Sequence, residues 1–413
     1  MRLLKKCAAV AMAFIMCINF AACNKSEDMD KTAKGLKPEQ EKTIDVWYCD
    51  ENYQAYLELV AERFHKANSL VTINPVLVSA EDYLTNIYNE SVRNNGGPDV
   101  FIMSSDELER VQLMGLVAEN NTYSKYYTSD NYCDVAIKSA KYKDKLYGYP
   151  LCFNVAYMVY NAKHVGAVNT FTELTEYNNN FQVTDENQEI KEIVSWDVSD
   201  MFLNFGFSAG SINVGGENGD DSSSIQVNAE ALKNAMREYS NLKDIYGIDK
   251  STATKSSCVS SFTDGSLAYT IIDMSSFKAI NESEVEFQVT KVPDYNGGTA
   301  INTLGDTTIA VVNQYSDDLE TAKAVANALS YDYAPLMIES AGRLSARNLE
   351  YTGDKAEKYK TLYNIYKNST MKAKFIGSTT IYTRYEIMIS QIWKGGDIDA
   401  TVDEFVDELT PKN

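Results

Sequence analysis

Polar side chains that stand just beyond short apolar runs are the residues of this chain best placed to do chemistry. Asp50, Glu51 and Asn52 follow the run Thr43 to Tyr48. Ser104, Ser105 and Asp106 follow Val100 to Met103, and Asp273 closes Leu267 to Ile272. In open parallel sheets, ligands sit beyond the carboxyl ends of strands, which is where these groups would meet a bound molecule. Carboxylates, amides and hydroxyls exchange hydrogen bonds with the hydroxyls of a sugar, and aromatic faces pack against its C–H faces. Each group also has a structural alternative. Asp50, Asn52 and the Ser104 to Asp106 run can cap the helices that follow them, and Asp273 can close a strand-end turn.

Signs of catalysis are sparse. The chain has no G-x-S-x-G elbow and no phosphate-binding loop. His65 and His164 are far apart, no metal-ligand spacing occurs, and Asp220-Asp221 fits no EF-hand loop, so a solvated turn is the simpler reading. Carboxylates are plentiful enough that residue types alone leave a glycosidase pair open. A receptor that closes on a solute and releases it needs only an apolar or aromatic wall, a few polar groups and a hinge.

The hinge is sought in residues 142 to 161. Lys143-Asp144-Lys145 reads as a polar turn, and Gly148 can adopt backbone angles closed to other residues. Pro150 fixes its own φ and pushes Tyr149 toward extended backbone. Leu151 to Tyr160 is uncharged, too short to span a membrane, and reads as a buried strand. Such a segment suits a chain that leaves one lobe and starts the sheet of another. From beyond the crossing, Asn154, Tyr157 and Trp196 join the candidates. Trp196, beside Asp197, could serve as a stacking platform or pack in a core.

The elements before the crossing alternate strand and helix. Strands are expected at residues 43–48, 71–78 and 100–103, with helices from about Asn52, Ala80 and Ser104. Pro75 places the second strand at a sheet edge or bulge. This order argues for mainly parallel sheets flanked by helices. After the crossing, Ser208 to Ser224 reads as a long loop and Ala229 to Tyr246 as an amphipathic helix ended by Gly247. Strands follow at Leu267 to Ile272 and Val285 to Val289.

Tyr147-Gly148-Tyr149-Pro150-Leu151 followed by Tyr160-Asn161 resembles the first hinge passage of extracellular solute-binding proteins, the capture subunits of ABC importers, in the group of sugar and maltodextrin binders. Further matches follow in the family's order. They include Phe64 to Asn68, Gly96-Gly97-Pro98-Asp99-Val100 and Gly115-Leu116. Ser261 to Tyr269 also matches, with Leu267-Ala268-Tyr269 where the family often has Ala-Ala-Met. Gly342 to Arg347 has Ser345 in place of a proline, and Ile392-Trp393 to Gly396 matches the family's usual end. The resemblance runs from about residue 43 to 410. It implies a two-lobe, periplasmic-binding-protein-like α/β fold of type II, with hinged crossing segments. Lobe 1 would hold 41–150 and 301–337, and lobe 2 would hold 151–300 and 338–413. From the implied return segment, Tyr295 and Asp306 join the candidates. Asn302 to Asp306 lacks the tryptophan that many sugar binders of the family carry there, which speaks against a long maltodextrin-like ligand.

Arg2, Lys5 and Lys6 precede an apolar stretch from Cys7 to Phe20, and Phe20-Ala21-Ala22-Cys23 resembles a bacterial lipobox. Residues 1–22 are then a lipoprotein signal peptide, Cys23 the lipidated residue, and 23–40 a flexible tether. An ordinary signal peptide cleaved after Ala22 reads from the same residues. A net charge of −20 disfavours nucleic acid or an anionic membrane surface as a partner. Cys49, Cys133, Cys152 and Cys258 show no CxxC spacing and are expected as free thiols. The expectation is therefore a monomeric, lipid-anchored receptor on the outer face of the cell membrane, without cofactor or catalytic residues. It would capture a sugar or oligosaccharide and pass it to an ABC permease. A receptor for a polyamine or other charged solute, or a secreted glycoside hydrolase, is the alternative.

Overall fold

The computed structural model describes residues 28–94 and 96–409; the signal segment 1–22 and Cys23 lie outside the described residues. Nine strands form the principal sheet: β1 (Lys42–Tyr48), β2 (Val71–Leu77), β3 (Val100–Ser104), β4 (Gly148–Asn161), β5 (Glu192–Val194), β6 (Leu267–Asp273), β7 (Phe287–Thr290), β8 (Leu304–Val312) and β9 (Thr370–Met371). Their order is β2-β1-β3-β8-β4-β6-β5, with β7 also on β4 and β9 on β8.

β4 is the element that joins the lobes. From Gly148 to Val155 it pairs antiparallel with β8 of the first lobe. From Ala156 onward it pairs antiparallel with β6, and from Met158 with β7, both of the second lobe. The partners change between Val155 and Ala156 within one unbroken strand. Strands entered through helical crossovers (β1 with β2 and β3, β5 with β6) are parallel. The strands that carry the chain out and back, β4 and β8, run antiparallel to each other because the chain reverses when it returns.

Alternation along the strands explains how the first lobe is covered on both faces. Phe101, Met103, Ile309 and Val311 face a cluster with Leu84, Ile87, Leu108 and Val111. Val100, Ile102, Ala310 and Val312 belong to the other, larger core. β2 is the edge strand, so Pro75 costs no central ladder bond; of the two readings that Pro75 allowed, edge or bulge, the structure has the edge. Asp99 of the Gly-Pro-Asp-Val passage has a structural task. Its Oδ2 accepts from the Asp45 amide (2.9 Å) and its Oδ1 from Ser316 Oγ (2.5 Å), tying β1 and the end of β8 to one turn.

The structure corrects four expectations. Gly148 is not in a left-handed conformation; a Cβ there would lie 2.9 Å from Ile309 Cδ1 and 3.2 Å from Ala140, so close approach is what demands glycine. The tether ends early. Lys31–Gly35 is a helix, Ala33 and Leu36 are buried, and the Thr32 amide donates to Asp332 Oδ2 at 2.8 Å. Asn68 Nδ2 donates to the carbonyls of Ala33 (2.9 Å) and Leu36 (3.0 Å), fastening the segment to the end of helix Gln54–Ala67. The segment after residue 337 stays with the first lobe for a further stretch. Helix Met337–Ala341 packs on helix Gln54–Ala67, and the Ala346 amide donates to the Leu151 carbonyl. Finally, the loop at 208–224 contains strand Ile212–Val214, which pairs with Ile225–Val227 around a glycine-rich turn. Asp220 of that turn accepts from the Lys143 amide at 2.8 Å, so it joins the two lobes across the rim.

Candidate ligand-binding site

The ends of β1, β3 and β6 and the middles of β4 and β8 converge where the lobes meet. Asn154 and Asp306 are register partners on β4 and β8, so their side chains lie on the same face of the sheet. Cys152 and Thr308, two residues away on each strand, share that face. Tyr53 covers them; its hydroxyl lies 3.1 Å from Cys152 Sγ and donates to Thr308 Oγ1 at 3.3 Å.

Around this face the charges alternate in sign. Ser104 Oγ donates to Asp306 Oδ1 at 2.7 Å, and Lys372 Nζ lies 2.6 Å from Asp106 Oδ2. Burial raises the Asp306 carboxyl above its usual range, and Lys372 offsets part of that rise. Burial works against the Lys372 ammonium in turn, but Asp306 and Asp106 outweigh it and hold the proton more firmly than usual. Asn154 ties in the second lobe: its Oδ1 accepts from the Met274 amide (2.8 Å) and its Nδ2 donates to Asp273 Oδ2 (3.4 Å). Asp273 Oδ2 also receives Lys255 Nζ at 3.0 Å, and the same ammonium lies 3.9 Å from Asp200 Oδ2. Asp50 Oδ2 pairs with Arg343 Nη2 at 3.3 Å.

The nominated residues divide into three groups. Asp50, Asp106, Asn154, Asp273, Ser104 and Asp306 are brought together in this network. Glu51 and Asn52 are exposed beside it. Asn52 also caps the turn with Asp50, whose Oδ1 accepts both the Asn52 amide and its Nδ2. Ser105 is buried below the network. Trp196 and Tyr295 depart from it: both are fully buried in the aromatic core of the second lobe. The Trp196 ring lies 6.0 Å from Phe207 and 5.9 Å from Trp393, and its Nε1 donates to Asn204 Oδ1 (2.9 Å). Tyr295 OH donates to the Phe207 carbonyl (2.9 Å). Both rings are large enough to fill a core and both polar tips are satisfied inside it, so neither offers a stacking face. Tyr157 is also fully buried, but its hydroxyl has no hydrogen-bond partner among the described residues; burial, with the charge of Asp273 adding, raises it well above the usual phenol range.

The sequence reading missed the cations. Arg343 follows a helix-ending glycine, Lys255 starts a helix, and Lys372 stands just beyond the two-residue strand β9, which the sequence reading did not identify. Arg343 stands within the quoted Gly342 to Arg347 passage, and an arginine after a helix-ending glycine was the available signal. Beside Lys255, an open depression is lined by Asp197, Ser199, Asp200, Met201, Phe202 and Glu386. Burial raises the carboxyls of Asp200 and Glu386, and at Glu386 the neighbouring Asp200 and Asp197 add to the rise. A second depression, along helix Phe171–Asn180, contains none of these residues.

Residues 60–382 match the family described as "Bacterial extracellular solute-binding protein". This chain belongs to that family. Its members are substrate-binding proteins that work outside the cytoplasm, and among the described residues no helix is long and apolar enough to cross a membrane. The galactooligosaccharide-binding protein of Bacillus subtilis (strain 168) is 24% identical over 344 residues, covering 79% of this chain and 76% of that protein. Among solved structures, a cyclo/maltodextrin-binding protein complexed with maltotetraose superposes with a TM-score of 0.76 at 16% identity. It covers 91% of this chain and 98% of its own. An extracellular solute-binding protein from Staphylococcus aureus in complex with maltose gives 0.73 at 15% identity, covering 90% and 98%. These likenesses give this solute-binding protein its fold: two hinged α/β lobes.

Proposed function

We propose that this solute-binding protein captures a sugar or short oligosaccharide at the Asn154–Asp306 face and hands it, chemically unchanged, to an ABC permease. Cys23 would carry the lipid that keeps it on the outer face of the cell membrane. The observation that carries the ligand class is the pairing of charges. Asp50 faces Arg343, Asp273 faces Lys255, and Asp106 and Asp306 share Lys372, so three cations offset most of the charge of four carboxylates and weaken the pull of this face on a polyamine. It does present alternating donors and acceptors, which is what sugar hydroxyls need. The oligosaccharide ligands named for the relatives support the same class. With all three tryptophans outside this network, recognition rests on hydrogen bonds more than on stacking, which favours a short saccharide.

Isothermal titration against galacto-oligosaccharides, maltodextrins and spermidine tests the reading. Saturable binding of one saccharide, with the sugar recovered intact, is expected. Binding of spermidine alone, or release of a cleaved sugar, would overturn it.

A further inference from the structure

We propose that the docked N-terminal segment turns one face of the first lobe onto the membrane, where Lys31, Lys125 and a tyrosine cluster meet anionic lipid headgroups. The inference rests on the lipid-anchor reading at Cys23 and adds an orientation to it.

Chain length comes first. A free tether from Asn24 to Gln40 would reach about 60 Å when extended. The structure removes most of that reach, because Asp30 to Leu36 is fastened to the first lobe. Thr32 is held by Asp332 and Asn327, Ala33 and Leu36 by Asn68, and Tyr333 OH donates to Asp30 Oδ1 at 2.9 Å. Only the residues from Cys23 to Asp28 remain to span the gap, a maximum of about 18 Å. The surface around Asp28 is thereby confined to the neighbourhood of the bilayer.

The chemistry of that surface fits. Tyr123, Tyr126 and Tyr331 are half-buried beside one another, with ring centroids 6.3 Å and 4.7 Å apart along the series. The exposed ammonium groups of Lys31 and Lys125 sit 5.8 Å and 5.2 Å from the Tyr126 centroid. Tyrosine and lysine have apolar bodies and polar tips, the combination suited to a headgroup layer. The chain as a whole is strongly acidic, so most of its faces are repelled by an anionic surface. Here part of the acidic charge is offset: Asp28 and Asp30 share Lys34 at 2.8 Å and 3.7 Å and Asp332 is buried, while Glu320, whose charge acts on Tyr123, stays exposed.

The test uses the full lipidated chain in vesicles of phosphatidylglycerol and phosphatidylcholine, with lysine acetylation read by mass spectrometry against detergent-solubilised protein. Flotation is measured in the same samples. Acetylation of Lys31 and Lys125 is expected to slow by about fivefold in vesicles, while the outlying Lys163 and Lys360 keep their rates. The double variant Lys31→Glu, Lys125→Glu should still float, because the anchor at Cys23 is untouched. Protein that floats and is acetylated at Lys31 and Lys125 as fast as in detergent would overturn the orientation and leave the anchor standing. Protein that does not float would overturn both.

Discussion

Arg343 reaches Asp50 with one arm of its guanidinium and the second lobe with the other. Nη2 lies 3.3 Å from Asp50 Oδ2, and Nη1 donates to the Met274 carbonyl at 2.6 Å. One planar fork thus closes on a first-lobe carboxylate and a second-lobe backbone at once, a geometry that lysine cannot copy. Arg343→Lys is expected to weaken ligand binding roughly tenfold, since a charged hydrogen bond contributes about 1.5–3 kcal/mol. Titration of the two proteins side by side checks it; equal Kd values would mean that the fork is dispensable for closure.

Lys372 should behave as a buried counter-ion. Removing it in Lys372→Met leaves Asp306 and Asp106 facing each other, and breaking such a pair costs about 3 kcal/mol. Chemical denaturation should show that loss. Adding Asp306→Asn should restore most of it, because the remaining carboxylate no longer has a like-charged neighbour. If the double variant is no more stable than the single one, the pairing is not what Lys372 provides.

Tyr157→Phe separates binding from stability. The hydroxyl is buried without a hydrogen-bond partner among the described residues, so its loss should leave the melting temperature unchanged or slightly higher. Affinity should fall about tenfold, as expected when a buried hydroxyl has served a ligand. Unaltered affinity in calorimetry would take Tyr157 out of the site.

Trp196→Phe should give the reverse result. It forfeits the bond to Asn204 and part of a packed ring, at a cost of about 1–3 kcal/mol. Its ring does not face the cleft, so Kd measured well below the melting transition should stay within twofold of the parent, about 0.4 kcal/mol. A much weaker complex with an unchanged melting temperature would return Trp196 to the ligand.

Asp332 sets a pH dependence in the first lobe. Burial raises its carboxyl to about 6, partly offset by the Thr32 amide. A raised carboxyl favours the folded state while protonated. That contribution is complete below the unfolded value near 3.8 and is lost as pH climbs through about 6. D332N keeps an oxygen for the Thr32 amide and carries no charge. It should therefore melt a few degrees above the parent at pH 7.5, for a gain of about 1–3 kcal/mol. At pH 4 the two proteins should converge. A gap that persists or widens at pH 4 would contradict this assignment.

Local pattern was enough for much of the architecture. The apolar run after Pro150, the edge or bulge implied by Pro75 and the helix Ala229–Tyr246 with its Gly247 cap all follow from properties of consecutive residues: period, backbone restriction and capping. The strand-end rule found Asp50, Asp106 and Asp273 for the same reason, since where a strand stops is written locally. Which side chains meet is not written locally. The partners of Arg343, Lys372 and Lys255 come from segments far away in the chain, and only the packing of two lobes on β4 brings them to those carboxylates. Trp196 shows the other side of the same limit. Its residue type suits a stacking face and a core equally, and the choice was made by the surrounding aromatic rings and by Asn204. The N-terminal segment read as a tether because it is polar, yet a few hydrogen bonds and the buried Thr32, Ala33 and Leu36 hold it to the first lobe.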